Sequence, residues 1–122
     1  MNLDARCDAI EECYEFLLAY AAQGLPGDAQ PNSQVREFLR KAVTGLTGIG
    51  EAIKTAGLKP AAFAAVVERD AQDSLAAIEL VLAQPIISSQ LVDNLNASIH
   101  LRALLTDLFL VDEILKLQRI TA

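Results

Sequence analysis

The sequence predicts an all-α fold, an antiparallel four-helix bundle with a long C-terminal helix. Three observations carry that expectation. Apolar residues recur at spacings of three and four along most of the chain, no stretch alternates with the period of a strand, and Gly or Pro interrupts the pattern at three places. The segments so bounded, 2–23, 33–56, 60–83 and 89–119, fit a single helical-bundle domain over 1–122. Short connections make successive helices antiparallel neighbours.

The first segment puts Leu3, Cys7, Ile10, Tyr14, Leu17, Leu18 and Ala21 on one face and Asp4, Asp8, Glu11, Glu12 and Glu15 on another. It stops at Gly24-Leu25-Pro26-Gly27, a C-terminal glycine followed by a proline. The second aligns Val35, Phe38, Leu39, Ala42, Val43, Leu46, Ile49 and Ile53, the cleanest amphipathic pattern in the chain. Gly45, Gly48 and Gly50 weaken it by roughly 1 kcal/mol each relative to Ala, and a continuous helix that bends is expected there. The third starts with Pro60 in its first turn, aligns Phe63, Val66, Val67, Ala71, Ser74, Ala77, Ile78 and Val81, and ends before Pro85. Ser88 or Ser89 caps the fourth, which runs to about Arg119.

That fourth segment carries two apolar stripes where a bundle helix needs one. Ala97, Leu101, Leu104, Leu108, Val111 and Leu115 follow a 4-3-4-3-4 spacing, the seam of a coiled-coil-like contact. Leu91, Leu95, Ile99, Ala103, Leu110, Ile114 and Leu117 form the other stripe. One closes the core and the other needs a cover, so a homodimer through this helix is expected, led by Leu101, Leu104, Leu108, Val111 and Leu115.

Composition sets the outer bounds. Apolar types make up 52% and charged residues 21% of 122 residues, too apolar a mixture for a disordered chain. The net charge of −6 argues against nucleic acid or an anionic membrane surface as partner, and Asp107, Asp112 and Glu113 interrupt the longest apolar runs, so no membrane span is expected. No secretory or transit segment is readable, which makes a cytoplasmic setting the expectation. Cys7 and Cys13 on one helix lie about 9 Å apart along its axis, beyond the roughly 7 Å Cα limit of a disulfide. Asp8, Glu11 and Glu12 are expected to raise the pKa of a neighbouring thiol, which disfavours redox chemistry.

Candidate chemistry centres on Asp93, Asn96, His100 and Asp107, which share a flank of the fourth helix at spacings of three, four and seven. A histidine with a carboxylate two turns away on either side suits a metal ligand, ligand anchor or proton carrier, but the leading expectation is a hydrogen-bonded polar strip that is solvated or fixes packing register. A di-iron bundle needs Glu-x-x-His pairs on two helices, and this chain has one His, so neither metal nor cofactor is expected. Arg6 and Asp70 fall within apolar arcs of their helices, where inward-facing charges pair with each other or reach water; an Arg6–Asp70 contact is expected as a structural salt bridge, with a carboxylate anchor as the alternative. The Gly45–Gly50 run lacks the Lys-Ser/Thr ending and the preceding strand of a phosphate loop. Ser98 and His100 point to different sides of one helix, and no catalytic set can be assembled.

In size, acidity and a single histidine on a bundle helix, the chain resembles histidine phosphotransfer domains. Those carry a basic residue three positions after the histidine and then a glycine, on a central hairpin helix. Here Leu101, Arg102, Ala103 and Leu104 follow His100 on the last helix, so the likeness ends at size and histidine count. The expectation is therefore a non-catalytic, homo-oligomeric interaction or accessory protein. A bundle binding a small ligand or metal through His100 and nearby carboxylates is the alternative, and a phosphotransfer role comes third.

Overall fold

The computed structural model describes residues 1–27 and 29–121. Among them the chain forms six helices and no strand: α1 (Leu3–Ala22), α2 (Gln34–Leu46), α3 (Ile49–Thr55), α4 (Phe63–Leu82), α5 (Ser89–Ala97) and α6 (His100–Thr121). Each of the four periodic segments is present, but the second and fourth are each split in two. None of the described helices is long and apolar enough to cross a membrane.

The first split corrects the expectation of a continuous, bent helix. Gly48 adopts φ 78°, ψ 15°, a left-handed conformation that glycine tolerates without steric cost, and the chain restarts as α3. Thr47 closes α2, its backbone N–H and its hydroxyl both donating to the Val43 carbonyl, at 3.0 and 2.7 Å. The flanking glycines serve close packing instead. A Cβ on Gly45 would lie 3.0 Å from the Arg6 carbonyl oxygen of α1, and one on Gly50 would lie 2.8 Å from Glu68 Cβ of α4.

The second split falls at Ile99, with φ 62°. A β-branched residue seldom adopts that conformation, so nothing in the sequence announces the break. Ser98 turns its hydroxyl back onto the Leu95 carbonyl (2.6 Å), ending α5, and the Ile99 carbonyl accepts from Ala103 N–H (2.8 Å) to begin α6.

Hydrogen bonds between elements set their directions. Arg6, at the start of α1, donates to the carbonyls of Gly45 (3.0 Å) and Thr47 at the end of α2. Arg36, buried at the start of α2, donates to Leu82 (3.0 Å), Gln84 (2.7 Å) and Pro85 (3.2 Å) at the end of α4. Both pairs of helices therefore run antiparallel, and each guanidinium occupies the electronegative C-terminal end of a neighbouring helix. Where α1 ends, Ser89 Oγ accepts from Leu25 N–H (2.8 Å) and donates to the Tyr20 carbonyl (2.6 Å), while Tyr20 Oη donates to the Ile87 carbonyl (2.6 Å). Gln118 of α6 ties back to the segment before α4, accepting from Lys59 N–H (3.1 Å) and donating to the Gly57 carbonyl (3.0 Å).

The core is aliphatic, as a Trp-free chain requires. Ile10, Leu17, Leu39, Leu46, Ile53 and Leu104 are completely buried. Each contributes about 1.5–3 kcal/mol of transfer free energy. Phe16 stacks on Phe38 with ring centroids 4.3 Å apart, closing one side of the α1–α2 contact. α1 packs mainly on α2 and α5, and α4 mainly on α6 and α3; α1 meets α6 only lightly.

Candidate functional site

The break at Ile99 disperses the flank on which the sequence grouped four polar residues. Asp93 is exposed on α5. Asn96 is half-buried and donates to the Leu17 carbonyl at 3.2 Å, a tie between helices. His100 is exposed at the first position of α6. There it borders a shallow apolar cleft of ≈ 500 Å³ walled by Leu80, Val81, Leu91 and Leu95, with Asp73 the carboxylate beside it. Asp107 faces α4, two turns further on. Among the described residues, no group of three or more His, Cys, Asp or Glu side chains is arranged to hold a metal ion.

The expected Arg6–Asp70 pair does not form. Arg6 is held by the carbonyls of Gly45 and Thr47, and by that of Met1 at 3.3 Å. Asp70 faces Asp107 instead. Burial raises the Asp107 carboxyl from 3.8 to about 7, helped by hydrogen bonding to Asp70 and by the Asp70 charge. No N–H or hydroxyl donor reaches the buried Asp107 Oδ2. Ser74 Oγ, one turn beyond Asp70 on α4, and Glu68 Oε2, tucked against Gly50, are likewise buried without a partner.

The stripe expected at the interface is buried from Leu101 onward, and the other is mixed, with Leu95 buried and Leu91 and Ile114 packed against the core. Leu101, Leu104, Leu108, Val111 and Leu115 are all buried within this one chain, with at most 6% exposure. That corrects their assignment to self-association: they face α1 and α4 and close the core. Leu110 and Leu117 remain 51% and 53% exposed, with Ile114 half-buried between them. Val66 of α4 is also exposed. Leu110 is three residues from Asp107, so the carboxyl pair and this apolar face share one stretch of α6.

Periodicity alone had both stripes. Which of them points inward depends on where α1 and α4 sit, and no local signal carries that. Arg36 was missed for a similar reason, since its partners lie more than forty positions away.

Both cysteines are free. Cys13 is buried in the core, and burial pushes its thiol up to about 12. Cys7 is raised to about 11, by burial first and then by Glu11, Asp4, Asp112 and Asp8. The acids beside it act in the direction the sequence implied, and no reactive thiolate results at neutral pH.

Comparison with family models, with curated proteins and with solved structures finds no match for this chain.

Proposed function

We propose that this chain is a non-catalytic interaction protein that pairs with a second copy of itself through the outward face of α6. Its six helices are taken as a four-helix bundle whose second and fourth members are each broken once. The observation that carries this reading is the exposed pair Leu110 and Leu117, on a helix whose other stripe already closes the core. Leu110, Ile114 and Leu117 are spaced by four and three, the step of a helix–helix seam. Two copies of α6 crossing antiparallel about a two-fold axis near Ile114 bring each Leu110 against the partner copy's equivalent of Leu117, a self-complementary arrangement. A reducing, cytoplasmic setting suits the two free thiols.

Sedimentation or light scattering across the micromolar range tests the reading. The expected result is a dimer for the parent chain and a monomer of unchanged helicity for Leu110→Glu with Leu117→Glu. Both positions are exposed, so these substitutions leave the core intact. A parent chain that stays monomeric throughout that range overturns the proposal.

A further inference from the structure

The opposite side of α6 presents a different surface. Because α1 meets α6 only lightly, the two helices enclose an open groove of ≈ 570 Å³. They run antiparallel: the later turns of α1, Glu11 to Glu15, share a second cleft with Arg102 to Phe109 at the start of α6. Its accessible apolar lining is Phe109, 55% exposed, with the half-buried Leu3 and Cys7; Leu108, Val111 and Leu115 lie buried behind them. The walls are acidic. Asp4, Asp8 and Glu11 follow one another at intervals of four and three along α1, and Asp112 faces them from α6. Arg119, at one end, is the lone cation of the lining. Lys116 reaches Asp112 at 2.9 Å, but both side chains are more than half exposed, a pair that exchanges readily for another cation.

The groove's own groups register this field. Glu11 is raised by slight burial and by Asp8, Glu15 and Asp112, and the Cys7 thiol is raised by burial and four carboxylates. Negative charge is crowded here beside apolar surface, and both features call for the same occupant. A cation alone leaves Phe109, Leu3 and Cys7 in water, and an apolar group alone leaves the carboxylates uncompensated.

We infer that the α1–α6 groove is a docking site for a basic amphipathic helix of a partner protein, its apolar stripe on Phe109, Leu3 and Cys7 and its Lys or Arg residues against Asp4, Asp8, Glu11 and Asp112. This is the helix-in-groove mode of recognition, with anchors at i, i+3 or i+4, and i+7. The α1 wall from Asn2 to Glu11 spans about 14 Å, long enough for those anchors over roughly two and a half turns. The site lies away from Leu110 and Leu117, so the proposal stands or falls independently of self-association.

The test uses the whole chain and a fluorescent synthetic peptide of about four helical turns, with Leu on one face and Lys on the other. A scrambled peptide of the same composition is the control. Fluorescence anisotropy should show saturable one-to-one binding that weakens with added salt. Asp8→Asn with Glu11→Gln should weaken it about tenfold, whereas Asp93→Asn, on α5, should leave it unchanged. Cys7 lines the groove and Cys13 is buried, so bound peptide should also slow maleimide modification of Cys7 under mildly alkaline conditions. Equal binding of the scrambled peptide, equal binding by the neutralised variant, absence of binding in the micromolar range, or unprotected Cys7 overturns the proposal. Protection of Cys7 that grows with protein concentration, without peptide, assigns the groove to a second copy and also overturns it.

Discussion

Replacing Asp107 by Asn tests the carboxyl pair directly. In the folded chain this group holds its proton up to about 7, whereas its ordinary value is 3.8. Below about pH 4 both folded and unfolded forms are protonated, and the group contributes no penalty. Between about 4 and 7 the unfolded chain ionises while the folded chain keeps its proton, so stability falls as pH rises; above about 7 the loss is complete. At about 1.36 kcal/mol per pH unit the full difference amounts to roughly 4 kcal/mol. Asp107 is only half-buried, and solvent screening reduces that to ~1–2 kcal/mol. An Asn side chain offers an N–H to the Asp70 carboxylate at every pH, which removes the need for the proton. Asp107→Asn should therefore be the more stable protein, and its advantage should grow by ~1 kcal/mol between about pH 5 and about pH 8. Urea titrations followed by far-ultraviolet circular dichroism at several pH values measure that difference. An advantage that does not change with pH would refute the raised Asp107 carboxyl.

Three further substitutions probe the architecture. Arg36→Met keeps the aliphatic stem but strips three carbonyls at the end of α4 of their donor; a loss of about 2–4 kcal/mol in urea titrations is expected, and Arg36→Lys should recover only part of it. Ile99→Gly relieves a left-handed β-branched residue whose side chain is 59% exposed, and should raise stability by about 1 kcal/mol, read as a higher Tm. Gly50→Ala adds helix propensity but drives a methyl group to within 2.8 Å of Glu68 Cβ, so a net loss of about 1–2 kcal/mol is expected; a gain would show that α3 and α4 can separate.

The parts of the fold that were legible from sequence are those governed by neighbours three and four residues apart. The four apolar periods became helices, and Val35, Leu39, Ala42 and Leu46 line the core side of α2 as their spacing required. Ser88 caps α5, its hydroxyl accepting from Leu91 N–H at 3.1 Å. What could not be read rests on partners distant in sequence or on uncommon local conformations. The Gly45–Gly50 run was visible, but only the positions of α1 and α4 decide that Gly45 and Gly50 allow close approach while Gly48 makes the break. Ile99 gives no warning, since its residue type disfavours the conformation it adopts. Arg6 was recognised as needing a partner, yet helix-end carbonyls satisfied it instead of a carboxylate, which freed Asp70 to meet Asp107. The register between α4 and α6 creates that meeting, and single-helix periodicity carries no register.

The apolar surplus of this chain is concentrated on α6, and it divides among three directions. Leu104, Leu108, Val111 and Leu115 point into the core, Phe109 borders the groove beside α1, and Leu110 and Leu117 look outward. A helix serving one core needs only the first set, so the other two are separable surfaces with separable consequences. Leu110→Glu with Leu117→Glu should abolish self-association and leave basic-peptide affinity unchanged. Asp8→Asn with Glu11→Gln should do the reverse. Combining the four substitutions should give the sum of the two effects, because the sets lie on opposite sides of α6 and share no contacts. If peptide affinity falls with the leucine substitutions, the two faces are linked through α6 itself. The helix would then shift as a unit when either face is occupied, and its light packing on α1 is the contact best placed to allow that movement.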